Sequence, residues 1–126
     1  IFKTGIGWYY TGILHEYADC HTTPFNQERI FGNYHIEART LGARNVGIEP
    51  VEKYSRDAEM LLDAVTNEDS LYYEPDNHRY WFYLAQSYFD SQQVDNAMEA
   101  YQKRAELGGW EEGKVKRLKS QRCSDL

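Results

Sequence analysis

The stretch His78-Arg79-Tyr80-Trp81-Phe82-Tyr83-Leu84-Ala85-Gln86-Ser87-Tyr88-Phe89-Asp90-Ser91-Gln92-Gln93-Val94-Asp95-Asn96-Ala97-Met98-Glu99-Ala100-Tyr101 decides the fold. Trp81, Leu84, Ala85 and Tyr88 form one set of apolar positions, and Val94, Ala97, Met98, Tyr101 and Ala105 form a second. In each set the spacing is that of one stripe of an α-helix. Asp76 or Asn77, after Pro75, can cap the first helix, and Gly108 and Gly109 can take the left-handed conformation that ends the second. The link Asp90-Ser91-Gln92-Gln93 is too short for anything but an antiparallel, adjacent pair. Ala85 and Ala97 are small where such helices cross, and the rings of Trp81, Tyr88 and Tyr101 fill the space beside them.

Toward the N-terminus, Tyr54, Ala58, Leu61, Leu62 and Val65 predict another helix over about 51–66. Before it, Gly42, Asn45, Gly47 and Pro50 are breakers, and ahead of them the period changes to that of strands. Gly7 to Tyr17, rich in aromatic and β-branched residues and interrupted by Gly12, reads as one strand with a bulge. A loop with His21, Thr22, Thr23, Pro24 and Asn26 leads to a second extended candidate, Ile30 to Arg39, able to pair with the first. The expected architecture is therefore mainly α. Antiparallel helical hairpins occupy 51–126, and a small β-hairpin or extended segment occupies 1–50.

Composition narrows the function classes. Of 126 residues, 41% are hydrophobic and eleven are tyrosine, which suits a packed interior rather than a disordered chain. The net charge is −6, although residues 114 to 126 hold Lys114, Lys116, Arg117, Lys119 and Arg122 against Asp125 alone. The acidic remainder should repel nucleic acid, and the basic tail reads as a solvated helix end in preference to a phosphate-binding patch. After Trp110 only Val115 and Leu118 support a short exposed helix. No apolar run is long enough to span a membrane. Cys20 and Cys123 lack paired spacing and follow no secretory segment, so reduced thiols and a cytoplasmic location are expected. The start at Ile1 suggests a processed, engineered or truncated product.

His78 to Gly109 resembles a tetratricopeptide repeat (TPR), with Trp81, Leu84, Tyr88, Ala97 and Tyr101 in register with its signature. Ala85 stands where glycine is usual, Arg104 where alanine is usual, and Gly109 where proline is usual. The helix around Ala58 to Val65 looks like the second half of a preceding repeat. One full repeat implies that other segments act as caps. Asp57 to Leu62, Arg79 to Tyr88 and Lys103 to Trp110, together with Trp8, Gly12, His15, Glu16, Gly42, Arg44, Lys53 and Tyr54, widen the likeness. They resemble the C-terminal region of bacterial family-two glycosyltransferases that carry such repeats.

That likeness implies a nucleotide-sugar domain and a paired-aspartate metal motif, neither of which is present in these residues, which contain no Asp-x-Asp. Ser70 to Glu74 looks inserted. The chain is thus read as a fragment of a longer protein or a degenerate relative. No cofactor is expected in this chain; a divalent metal and a nucleotide-sugar enter only with the missing domain.

By resemblance alone, His15 and Glu16 would sit near the metal and acceptor edge of such an enzyme, and the alternative is a polar pair on a sheet surface. Asp19, Cys20, His21 and His35 lack zinc spacing and are set aside as a metal cluster. Arg79, Phe82, Gln86, Phe89 and Asp90 share a helix face distinct from the Trp81 stripe, which in tetratricopeptide arrays lines the concave groove that takes a protein or peptide. The competing expectation is that the N-terminal segment or the Tyr72-Tyr73 loop covers that face. The leading expectation is a noncatalytic protein-interaction module. Its rivals are a component of a nucleotide-sugar-dependent glycosyltransferase and a homo-oligomer joined through repeat faces.

Overall fold

The computed structural model describes residues 2, 4–21, 29–39, 41–43 and 45–109. These contain two short strands, β1 (Trp8–Thr11) and β2 (Tyr17–Cys20), followed by three helices, α1 (Pro50–Thr66), α2 (His78–Asp90) and α3 (Val94–Glu106). The described part of the chain is mainly α. The expected basic helix beyond Trp110, as well as Cys123, Arg44 and the Thr22 to Asn26 loop residues, lie outside the described residues.

α1 begins with Pro50 in its first turn, where a missing N–H costs nothing and the fixed φ already suits a helix. Glu52 with Arg56 and Lys53 with Asp57 pair one turn apart along it. Its inner stripe is Ala58, Leu61, Ala64 and Val65, all buried, whereas Leu62 stays exposed. The chain then turns through 67–77, where the Glu74 N–H donates to the Ala64 carbonyl and the Trp81 indole N–H to the Pro75 carbonyl. Of the two cap candidates, Asn77 acts: its side-chain oxygen accepts from the Tyr80 N–H at 3.1 Å.

α2 packs against both α1 and α3. Tyr80, Leu84, Ala85 and Ser87 are buried, while Trp81 and Tyr88, expected in the core, are only half-buried at its edge. The short link holds because Gln92 takes a left-handed φ of +65° and the Gln93 N–H returns to the Tyr88 carbonyl. The Gln93 side-chain amide also donates to the Ser55 hydroxyl, which ties the link to α1.

α3 is rotated relative to expectation. Ala97 and Tyr101 are buried as expected, but Val94 and Met98 are about half exposed, and Ala100 and Arg104 take the inner positions. The reason is at the helix end. Arg104, 1% exposed, donates from its guanidinium to the carbonyl of Gly108, just past the end of α3. Gly108 and Gly109, at φ +71° and +78°, then terminate the helix in the left-handed region.

The N-terminal strands correct the sequence reading more strongly. Gly7 to Tyr17 is not one strand, and it does not pair with residues 30–39. The chain reverses within it, so that β1 and β2 are antiparallel neighbours with Trp8 opposite Cys20 and Thr11 opposite Tyr17. Gly12, at φ +107°, starts the reversal; a Cβ there would meet the Leu14 carbonyl at 3.4 Å and Glu16 Cα at 3.6 Å. Leu14 leaves the plane of the hairpin and is buried in the helical core. Residues 29–39 form no strand, and their apolar side chains are exposed, Ile36 by 96%. β-branched and aromatic residues favour a strand only where cross-strand neighbours receive them, and among the described residues none does.

The core therefore joins Leu14 to Ala58, Leu61, Leu84, Ala85 and Ala100. Leu84→Ala should cost about 2–5 kcal/mol by opening a cavity, and Ala85→Leu about 1–3 kcal/mol by forcing the helices apart. Both should appear as lower urea midpoints, and Leu62→Ala should change the midpoint far less.

Candidate functional site

Two features selected from the sequence meet on α2. Arg79, Phe82, Gln86, Phe89 and Asp90 lie along one side of the helix, as their spacing requires. Phe82 is half-buried, with its ring edge-on to Tyr83 (5.2 Å between centroids) and to Tyr101 (6.1 Å). Gln86 and Asp90 are half-buried, and Phe89 is 53% exposed. Arg79 is exposed but engaged: its Nη2 donates to the His15 carbonyl at 3.0 Å, and its guanidinium lies over the rings of Tyr17 (4.8 Å) and Tyr83 (5.2 Å). The N-terminal segment thus reaches the Arg79 end of the face. Tyr72, in the other segment expected to cover it, is itself 56% exposed.

His15 and Glu16 lie in the turn between β1 and β2, not on the surface of a sheet. His15 holds a left-handed φ of +53°, a conformation histidine tolerates better than most side chains. One face of its imidazole stacks on Tyr83, with centroids 3.9 Å apart and planes 15° from parallel; the rest of the residue is exposed. This partial burial pushes the imidazole below its ordinary pKa. Lys53 and Arg79 act in the same direction, and Asp57 and Glu16 oppose them. Glu16 is exposed.

The turn has a second anchor. The Ile13 N–H donates to the Tyr80 hydroxyl at 3.2 Å, and burial raises the pKa of that phenol despite the bond. On the hairpin itself Asp19 accepts from the Cys20 N–H, Cys20 is buried, and His21 stacks on Tyr9. Among the described residues no three His, Cys, Asp or Glu side chains are grouped so as to hold a metal ion. Among them, too, no helix is long and apolar enough to cross a membrane.

Another concavity, of about 310 Å³, lies on the other stripe of α2. Trp81, Leu84 and Tyr88 line it together with Leu62 of α1 and Lys103 of α3. The Lys103 ammonium is 6.0 Å from the Trp81 ring, and burial, reinforced by Glu99, raises the Tyr88 phenol. This groove explains why Trp81 and Tyr88 are incompletely buried.

Sequence reasoning missed Tyr80 as the partner of Ile13 and Tyr83, Lys53 and Asp57 as neighbours of His15. The signal available was Tyr80 and Tyr83, spaced by three and therefore on one helix face. Nothing in the spacing could indicate that a turn some 65 residues earlier would seat there. Comparison with protein-family models, characterised proteins and solved structures finds no match to this chain.

Tyr80→Phe should leave the Ile13 N–H unpaired at a cost of about 0.5–1.5 kcal/mol. Amide exchange at Ile13 should quicken several-fold while amides in α2 and α3 keep their protection. Unchanged protection at Ile13 would show that the Tyr80 hydroxyl does not hold the turn.

Proposed function

We propose that the chain is a noncatalytic interaction module built on tetratricopeptide-like helices and similar to the C-terminal part of a repeat-bearing family-two glycosyltransferase. Its partner is a protein or peptide segment laid along α2 over Phe82, Gln86, Phe89 and Asp90. The observation that carries this reading is the placement of those residues on the one helix that, among those described, is packed from both sides. A helix clamped between α1 and α3 presents its remaining face rigidly, so little order has to be gained when a partner binds. Phe89, more than half exposed beside Gln86 and Asp90, offers an apolar contact flanked by hydrogen-bonding groups. The small buried residues Ala58, Ala64, Ala85, Ala97 and Ala100 support the repeat-like reading, because they permit close helix contact.

The alternative, a component of a nucleotide-sugar-dependent glycosyltransferase acting through His15 and Glu16, is favoured by one feature, the left-handed backbone at His15. Against it stands the engagement of the imidazole with Tyr83 and of the backbone carbonyl with Arg79.

Peptides selected from a random displayed library should shift the NMR signals of Gln86, Phe89 and Asp90. Phe89→Ala should weaken their binding about tenfold, equivalent to ~1.4 kcal/mol. Peptides that instead shift only Trp81, Tyr88 and Lys103 would refute the assignment of the face. Calorimetry with a nucleotide-sugar and manganese should give no heat, and binding near micromolar affinity would favour the enzyme component.

A further inference from the structure

Besides Leu14, which stays in the helical core, the turn from Gly12 to Glu16 is joined to α2 at three places: the Ile13 N–H on the Tyr80 hydroxyl, the His15 ring on Tyr83, and the His15 carbonyl on Arg79. Two of these belong to a single titratable residue, and both involve groups that already share a cation. We propose that the His15 side of this turn is a proton-released strap, seated on Tyr83 and Arg79 while His15 is neutral and lifted from α2 when the imidazole gains a proton, with Leu14 as the fixed pivot.

The geometry sets the direction. A neutral imidazole lies flat on the Tyr83 ring with no charge to solvate. Protonation puts a cation on the same ring that the Arg79 guanidinium already occupies at 5.2 Å, next to the carbonyl that Arg79 already holds. Two cations then share one aromatic ring and repel each other beside it.

Of the remaining charged neighbours, Asp57 on α1 opposes release most strongly and Lys53, paired with it at 3.8 Å, favours it; burial of the imidazole outweighs the Asp57 carboxylate. On the hairpin, Glu16 is exposed, where water and salt screen it. On α2 the remaining contacts of the turn are the Tyr80 hydroxyl, at Ile13, and the Tyr83 ring, at His15. Burial holds the His15 imidazole below its ordinary value, 6.5, which is the shift this arrangement requires. The released strap therefore binds the proton more readily than the seated one. Seating is fully favoured above about pH 6.5 and is lost as the pH falls through the lower, seated value.

Lifting the strap releases Arg79, at the end of the α2 face, from the His15 carbonyl and uncovers the Tyr83 ring, while the Tyr17 ring stays beside the guanidinium. Its effect on partner binding rests on the interaction-module reading given above; the release itself does not.

The test is an NMR titration of the whole chain between about pH 8 and about pH 5. His15 should titrate below 6.5. In the same step the Ile13 amide and the Tyr83 ring should move toward the positions they hold in His15→Asn, which keeps the left-handed turn but removes the ring. His15→Phe, able to stack but not to charge, should show no such step. Lys53→Met, which removes one opposing cation, should raise the pH of the step in the wild-type background, and this arm stands even if His15→Phe seats poorly at φ +53°.

The proposal fails if His15 titrates at or above 6.5, or if Ile13 and Tyr83 do not move with it. It also fails if the step persists in His15→Phe or is unmoved by Lys53→Met. If the step is found but no selected peptide binds α2 at any pH, the strap stands and the recognition reading falls.

Discussion

The structure depends on α2 being packed along two sides at once. A helix with a single apolar stripe can satisfy one neighbour, but Leu84, Ala85, Tyr80 and Ser87 are buried on more than one side of this one. α1 and α3 each pack on α2. Removing α2 from this arrangement would leave Leu61 and Val65 of α1 and Ala100 and Tyr101 of α3 without their common floor. Everything on the surface that has a functional reading is a consequence. The faces of α2 left over after packing are the Phe82 to Asp90 side, the Trp81 to Tyr88 groove and the patch at Arg79 and Tyr83 that receives the hairpin turn.

The role of Arg104 shows how a departure from a repeat pattern can be absorbed. An alanine at that position would simply fill the helix contact. An arginine must bring its charge into a nearly closed environment, which is unfavourable unless its donors find acceptors. The segment just past α3 supplies one, the carbonyl of Gly108, and a cation is favoured there by the negative end of the helix dipole. The same end therefore accommodates the long side chain, and α3 turns far enough to leave Val94 and Met98 in solvent.

The hairpin is a weaker structure held by a stronger one. Two four-residue strands have too little shared surface to be stable alone, so their geometry depends on where the turn is anchored. Leu14 enters the helical core, and Ile13 and His15 are tied to α2 on either side of it. A change of charge at His15 acts on this anchoring directly, whereas the helices have their own buried contacts.

By itself the sequence determined the helices and their limits. Pro50, Asn77, the short link after Asp90 and the paired glycines after Leu107 are local signals that act on the backbone near them, and the apolar spacing selected the right period. The Phe82 to Asp90 face was also legible, because residues on a helix share a side whatever packs around them. The strands were not: the composition of Gly7 to Tyr17 gave strand propensity without register, and the reversal at Gly12 followed from Leu14 finding its place among residues from Ala58 to Ala100. Tertiary structure alone decided the rotation of α3 and the meeting of His15 with Tyr83 and Arg79. Both turn on contacts between groups whose separation in the chain carries no periodic signal: a buried guanidinium seeking a carbonyl, and a turn seeking a ring.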